Sequence, residues 1–353
     1  MTTPHPFTPT SAEMRARART DLRMGLPVVI EGALVFAIET LQNDRFDALR
    51  KMDQPVEIAV TDWRAATLKA HAYDVGTARF GLPADATLDW VHSVADPATD
   101  LRHPMKGPFK SLRGGNTDIH RAGIALAKSA QLLPAVIVVA GPHVTLGLTQ
   151  VGTDIPERAT FAEVVHARLP LEASQAGRLH IFRPDDGGTE HYAIEIGSPD
   201  RSQPVLSRLH SACFTGDVLG SLKCDCGPQL RAALEAMGQE GNGVLLYLNQ
   251  EGRGIGLANK MRAYALQNMG FDTVEANHRL GFEDDERDLA LGADLLRKLG
   301  FTSTRLMTNN PAKVARMNDH GVEVVERVPL KVGETPENAH YLAVKAAKSG
   351  HLL

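Results

Sequence analysis

Three cysteines, Cys213, Cys224 and Cys226, fall in one short stretch of a 353-residue chain that has no others. Three thiols cannot all pair within one chain, and their spacing, Cys213-x10-Cys224-Asp225-Cys226, reads as metal or redox chemistry rather than a disulfide framework. Thiolates at this density are costly to hold together without a cation, because each must lose its proton to act as a ligand. Zn²⁺ suits three sulfurs. Four protein ligands would make a closed structural site; three leave a position for water, which the metal can acidify enough to supply hydroxide near neutral pH. The alternatives are a structural zinc completed by a histidine such as His210, or three reduced buried thiols.

Three further segments carry groups that suit an anionic ligand. Gln250-Glu251-Gly252-Arg253-Gly254-Ile255-Gly256 lies between an expected strand and helix; its glycines allow close backbone approach, and a helix N-terminus favours anions, though such a loop is often only a turn. Thr308-Asn309-Asn310-Pro311-Ala312-Lys313 reads as a strand end, a polar turn, and Pro at the first helical position with a lysine behind it. That is an anion cradle or an ordinary cap. Asp284-Asp285-Glu286-Arg287-Asp288 is expected to open a helix running from Asp285 to Leu299, where acids complement the dipole; an acid and an arginine held over a substrate is the functional alternative. Arg208 and His210, spaced by two on an expected strand, share one face.

The elements that must position these groups read as a mixed α/β (α+β) protein of two domains, the count expected from chain length. Residues 1–20, rich in Pro, Thr and Arg, are expected to form a flexible arm or a short leading helix. Strands at 26–30 and 33–38 flank the Glu31-Gly32 turn, a helix is expected at 119–132, and AVIVVAG follows as a buried strand; residues 92–118 read as loop. The first domain is placed at 21–150 and the second at 165–353. In the second, strands are expected at 179–182, 191–196, 205–209, 244–248, 304–307 and 322–325, with helices from Pro228 to Gly241, over 257–269 and over 310–320. The net charge of −4 gives no sign of a nucleic-acid surface. No long apolar run suggests a membrane span, and the polar, basic N-terminus lacks a secretory h-region, so a cytoplasmic enzyme is expected.

RLHSACFTGDVLGSLKCDCGPQL, LYLNQEGRGIGLANKMRAYALQ, FDTVEANHRLGF, DDERD, LMTNNPAKV, ERVPL and HYLAVKAAKSGHLL stand in order from about Arg168 to Leu353. Together they resemble GTP cyclohydrolase II, the enzyme that opens riboflavin synthesis. The resemblance implies that Cys213, Cys224 and Cys226 hold one catalytic zinc per chain. Attack at C8 of guanine and a second hydrolysis would then release formate and pyrophosphate and leave a diamino-ribosylamino-pyrimidinone phosphate. Arg208, Leu209, His210, Ser211, Ala212, Gln229, Glu251, Gly252, Arg253, Thr273, Thr308 and Lys313 fall on positions that contact GTP. Asp285 falls on the assigned proton acceptor, Arg287 on the residue assigned to attack the α-phosphate, and Tyr264 on a residue linked to ring opening. Arginine is a poor nucleophile, so clamping the α-phosphate is the easier task for Arg287. The resemblance further implies Mg²⁺ with the triphosphate and a homodimer. Ala212 departs from the family, many of whose members carry glutamate there.

The N-terminal half resembles dihydroxybutanone-phosphate synthase, through GLPVVIEGALVFAIE and AGIALAKSAQLLPAVIV. The acidic loop between the first two strands is reduced to Glu31-Gly32, and Asp118-Ile119-His120-Arg121 stands where a glycine-histidine-threonine-glutamate motif belongs. This half is therefore expected to be inactive in synthase chemistry and to serve as scaffold or dimerisation surface, with His103, His120 and Trp63 structural. Alternative functions are a relative that opens the ring of a uracil nucleotide such as UMP, a nucleotide-binding regulator with a structural zinc, and a bifunctional enzyme.

Overall fold

The computed structural model describes residues 5–143, 146–154 and 158–338. Two compact units emerge: Met1–Arg158 with Ala258–Asp285, and Ala159–Leu257 with Glu286–Leu353. The expected division of 21–150 against 165–353 thus needs one correction, since residues 258–285 belong with the N-terminal half. The closing motif HYLAVKAAKSGHLL lies outside the described residues.

In the first unit the leading segment, expected as a flexible arm or a short helix, is helical from residue 11. Helix α1 (Ser11–Arg23) starts at a reciprocal cap: the Thr10 side chain accepts from Glu13 N, and the Glu13 carboxylate accepts from Thr10 N. That cap, with Ala18 and Leu22 buried on one face, outweighs the polar composition. There follow β1 (Val28–Ile30), β2 (Ala33–Ala37), α2 (Asn43–Leu49), β3 (Val56–Val60), α3 (Asp62–Leu68), β4 (Ala78–Gly81), α4 (Leu88–Ala95), α5 (Asp118–Ser129), β5 (Ala135–Val139) and β6 (Gln150–Val151). The sheet order is β4-β3-β5-β2-β1-β6. Residues 92–95, expected as loop, close helix α4, whose start Thr87 caps through Trp90 N. Ile30 pairs with Ala33 across the hairpin, so Glu31-Gly32 is the whole connection, with φ of 47° and 83°. Positive φ at both central residues is what a two-residue hairpin demands.

The second unit runs β7 (Phe161–Arg168), β8 (Gly177–Pro184), β9 (His191–Ile196), β10 (Val205–Ser211), α6 (Cys226–Glu240) and β11 (Gly243–Leu248). After α7 (Leu257–Asn268) and α8 (Thr273–Leu280) it resumes with α9 (Ala290–Lys298), β12 (Ser303–Met307), α10 (Pro311–Asp319) and β13 (Glu323–Val328). Its sheet order is β13-β12-β10-β11-β9-β8-β7. The strands from β13 to β11 are parallel and the rest antiparallel. Two cores follow from alternation along β10 and β11. Val205, Leu209, Val244 and Leu246 pack with Leu291 and Leu295 of α9 on one face. Leu206 and Leu245 pack with Ala233 and Met237 of α6 on the other. The helix expected from Asp285 begins instead at Ala290, because the Asp288 carboxylate accepts from Ala290 N at 3.0 Å and Glu286 N is given to Arg253 O. The acidic run is thereby drawn onto the glycine loop.

Helices α7 and α8 are joined to the N-terminal elements by specific contacts inside the first unit. Trp63 stacks on His278 with ring centroids 3.6 Å apart, and its indole N–H donates to Glu283. The Thr61 hydroxyl donates to Gly281 O, and Asn259 Nδ2 to Gln131 O. Beside them Arg64, 1% exposed, forks onto Asp100 at 2.5 and 3.0 Å. Lys106 binds the same carboxylate. Burial pushes the Asp100 carboxyl up, but Arg64 and Lys106 together hold it below the usual range. Removing one partner of such a group leaves an under-compensated buried charge. Arg64→Ala is therefore expected to cost about 3–5 kcal/mol, read as a lowered urea midpoint; a shift worth under about 1 kcal/mol, the value of a surface pair, would contradict this reading.

Candidate active site

Strand β10 sets the site. Arg208 and His210 lie on the α6-covered face, as their spacing predicts, and both are buried. Arg208 donates to Met307 O at 3.3 Å and to the Gln229 side chain of α6. Burial pulls its guanidinium down to about 10, and it remains a cation at neutral pH. Gln229 in turn donates to Asp225 at 2.5 Å. His210 stacks on Tyr247, and its Nε2 lies 3.1 Å from both Asp217 oxygens. The same carboxylate accepts from Cys213 N at 3.0 Å and from the Tyr247 hydroxyl at 2.9 Å. Burial pushes the His210 pKa down.

Two residues past the strand, Cys213 leads into a single wide turn, Phe214–Val218; Cys224 precedes α6 and Cys226 opens it. The three sulfurs all lie within 4.8 Å of one another, with Cys213 and Cys224 Sγ 3.7 Å apart. Tetrahedral zinc with bonds near 2.3 Å needs sulfurs about 3.8 Å apart, so the donor set fits. His210 is not in this group. Hydrogen bonding to Cys213, together with burial, pushes the Cys224 thiol up; Cys213, Cys224 and burial push Cys226 well up. Deprotonating thiols this close together is costly unless a cation compensates them. Gly216 makes the space: a Cβ there would stand 2.7 Å from Cys224 Sγ and 3.1 Å from Cys213 Sγ.

Three of the other expected groups of this unit, Arg287, Lys313 and Glu251, reach residues 208–214. Arg287 Nη1 donates to Ser211 Oγ at 3.1 Å, and Lys313 Nζ to Leu209 O at 2.8 Å. Glu251 accepts from Phe214 N at 2.6 Å. Its loop turns through left-handed backbone at Gly252 and Arg253. At Gly254, with φ of 95°, a Cβ would meet Glu286 O at 2.8 Å, so glycine permits the contact with the Arg287 segment. Thr308 is buried, and its hydroxyl accepts from Asn310 N; Asn310 then caps α10 through Ala312 N. Ala212 gives its N–H to Leu248 O at 2.7 Å. Tyr264, Thr273 and Asp285 belong to the first unit, Tyr264 on α7, Thr273 at the start of α8 and Asp285 at the unit's end.

Sequence reasoning did not single out Asp217, Tyr247 or Gly216. Asp217 and Gly216 sit between the first two cysteines, and that position was the available signal; Tyr247 carried none beyond its place in a strand. Gly216→Ala is expected to weaken zinc binding by at least about tenfold, the order seen when a ligand's support is disturbed. Competition against a chromogenic chelator measures it, and unchanged affinity would show that the turn does not shape the thiol cluster.

Residues 162–329 match the family description GTP cyclohydrolase II. The GTP cyclohydrolase-2 of Azospirillum brasilense is 43% identical over 365 residues, covering 97% of this chain and 94% of the relative. The GTP cyclohydrolase-2 of Azotobacter vinelandii is 58% identical over 175 residues, 50% of this chain and 84% of that one. The Escherichia fergusonii protein of the same name is 59% identical over 166 residues, 47% and 84%. Among solved structures, a two-domain 3,4-dihydroxy-2-butanone 4-phosphate synthase from A. baumannii aligns with 91% of this chain and 99% of that chain. Its TM-score is 0.31 at 16% identity. Likeness to the Azospirillum protein runs through both units: the chain belongs to the GTP cyclohydrolase II family.

Proposed function

We propose that this protein hydrolyses GTP to formate, pyrophosphate and a diamino-ribosylamino-pyrimidinone phosphate, the entry step of riboflavin synthesis. The observation that carries the reading is the convergence of Arg287, Lys313, Glu251 and the Arg208–Gln229 pair on the strand end that leads into three clustered thiols. Cys213, Cys224 and Cys226 would hold one zinc, which when bound supplies Lewis acidity for hydrolysis.

The protein's own groups then bind and orient the nucleotide. Arg208, desolvated and cationic, and Lys313 suit the negative charge of a polyphosphate. Arg287 presents a guanidinium fork next to Ser211, which suits clamping the α-phosphate better than attacking it, since the group does not lose its proton. Glu251, held by Phe214 N, fixes the glycine loop beside the thiol segment, and with Gln229 and Thr308 it supplies polar groups for the base and sugar. The roles of Asp285 as proton acceptor, and of Tyr264 and Thr273 toward GTP, rest on the family resemblance. So do Mg²⁺ with the triphosphate and the homodimer. The first unit is proposed as scaffold, inactive in synthase chemistry, because the β1–β2 connection has no room for an acidic loop.

The test is incubation of metal-analysed protein with GTP and Mg²⁺, with formate and pyrophosphate both measured and UMP run in parallel. Formate from GTP alone is expected. Cys224→Ser should abolish release, and Arg287→Ala should lower kcat by about 10²–10³-fold, as for loss of a charge-stabilising donor. Ring opening of UMP instead of GTP, or full turnover by Cys224→Ser, would overturn the assignment.

A further inference from the structure

Among the described residues, strand β7 is the edge of the second sheet and pairs only with β8. Along a regular strand Glu163 and His166, three residues apart, would face opposite sides. The register against β8 shifts between Glu163 and Val165. The extra residue of this bulge turns both side chains to one side. His166 stands directly opposite His180 of β8. Nδ1 of His166 lies 2.6 Å, and Nδ1 of His180 2.9 Å, from the same Glu163 oxygen. The donor atoms of the three side chains all lie within 4.8 Å of one another.

We propose that Glu163, His166 and His180 form a second divalent-metal site, sharing no residue with the thiol trio, that fastens the edge strand to its neighbour. The donors decide the class of ion. Two imidazoles and one carboxylate suit zinc and similar transition ions, whereas magnesium and calcium prefer all-oxygen sites. His180 is 4% exposed and is the fixed ligand; its Nε2 has no hydrogen-bond partner among the described residues and lies 3.9 Å from a Glu195 oxygen. A carboxylate facing the far nitrogen keeps the proton there and leaves Nδ1 free to bind metal. Glu195 is itself buried and paired with Arg201 at 2.5 Å, so this support is built into the sheet. The His166 side chain is 53% exposed, which leaves an entry path from solvent. The cation would stand between Glu163 and the two Nδ1 atoms, with both imidazoles as neutral ligands.

The experiment strips full-length protein of metal, equilibrates it with Zn²⁺ alone, removes free ion by gel filtration and counts zinc per chain by elemental mass spectrometry. About two ions per chain are expected for the unmodified protein, one for each site. His166→Ala and Glu163→Gln should each bind about one, as should Cys224→Ser, and the His166→Ala/Cys224→Ser double variant about none. His166 is half exposed, so its loss leaves the core intact, and Glu163→Gln preserves shape where a fold defect is suspected. One ion in the unmodified protein, with no loss in His166→Ala or Glu163→Gln, would overturn the proposal. So would two ions in both the unmodified protein and these variants.

Discussion

Three thiols held within van der Waals reach of one another are the constraint on which the second unit depends. Protonated, they are weak donors crowded against each other; deprotonated, they concentrate negative charge in a half-buried pocket. A cation resolves the conflict, and the surroundings are arranged for one. Gly216 leaves the room, the start of α6 places Cys226 at the positive end of a helix, and buried Arg208 adds charge of the opposite sign nearby. The Asp217 carboxylate ties Cys213 N, His210 and Tyr247 into one network. The first cysteine is therefore fixed by the sheet and the other two by the helix that covers it.

The same strand end collects the groups that a nucleotide needs. Parallel strands bring the termini of β10, β11 and β12 to one edge, which is where ligands bind in open α/β sheets. The glycine loop after β11 and the Thr308–Lys313 turn after β12 both issue from that edge. The cost is a buried polar cluster: most of its groups are paired across strand, helix or loop, while Arg208 Nε and His210 Nδ1 have no hydrogen-bond partner among the described residues.

Local physics was legible in the sequence. Alternation placed Arg208 and His210 on one face, Pro311 opened its helix, Gly241 ended α6 with left-handed backbone, and the two-residue hairpin turn could be read from Glu31-Gly32. What failed depended on distant partners. For residues 1–20 the composition leaves arm and leading helix both open, and packing of Ala18 and Leu22 against β1, β2 and α5 decides for the helix. The acidic run at 284–288 reads as a helix start until Arg253 O claims Glu286 N. Membership of residues 258–285 in the first unit rests on Trp63, Thr61 and Gln131, more than a hundred positions away in the chain. The Glu163–His166–His180 cluster was hidden by a bulge, because unbroken alternation would have set its members apart.

X-ray absorption at the zinc edge on the zinc-loaded His166→Ala protein should show three sulfur neighbours at about 2.3 Å and one lighter atom completing the shell. A shell of nitrogen and oxygen alone would contradict zinc binding by the thiol trio.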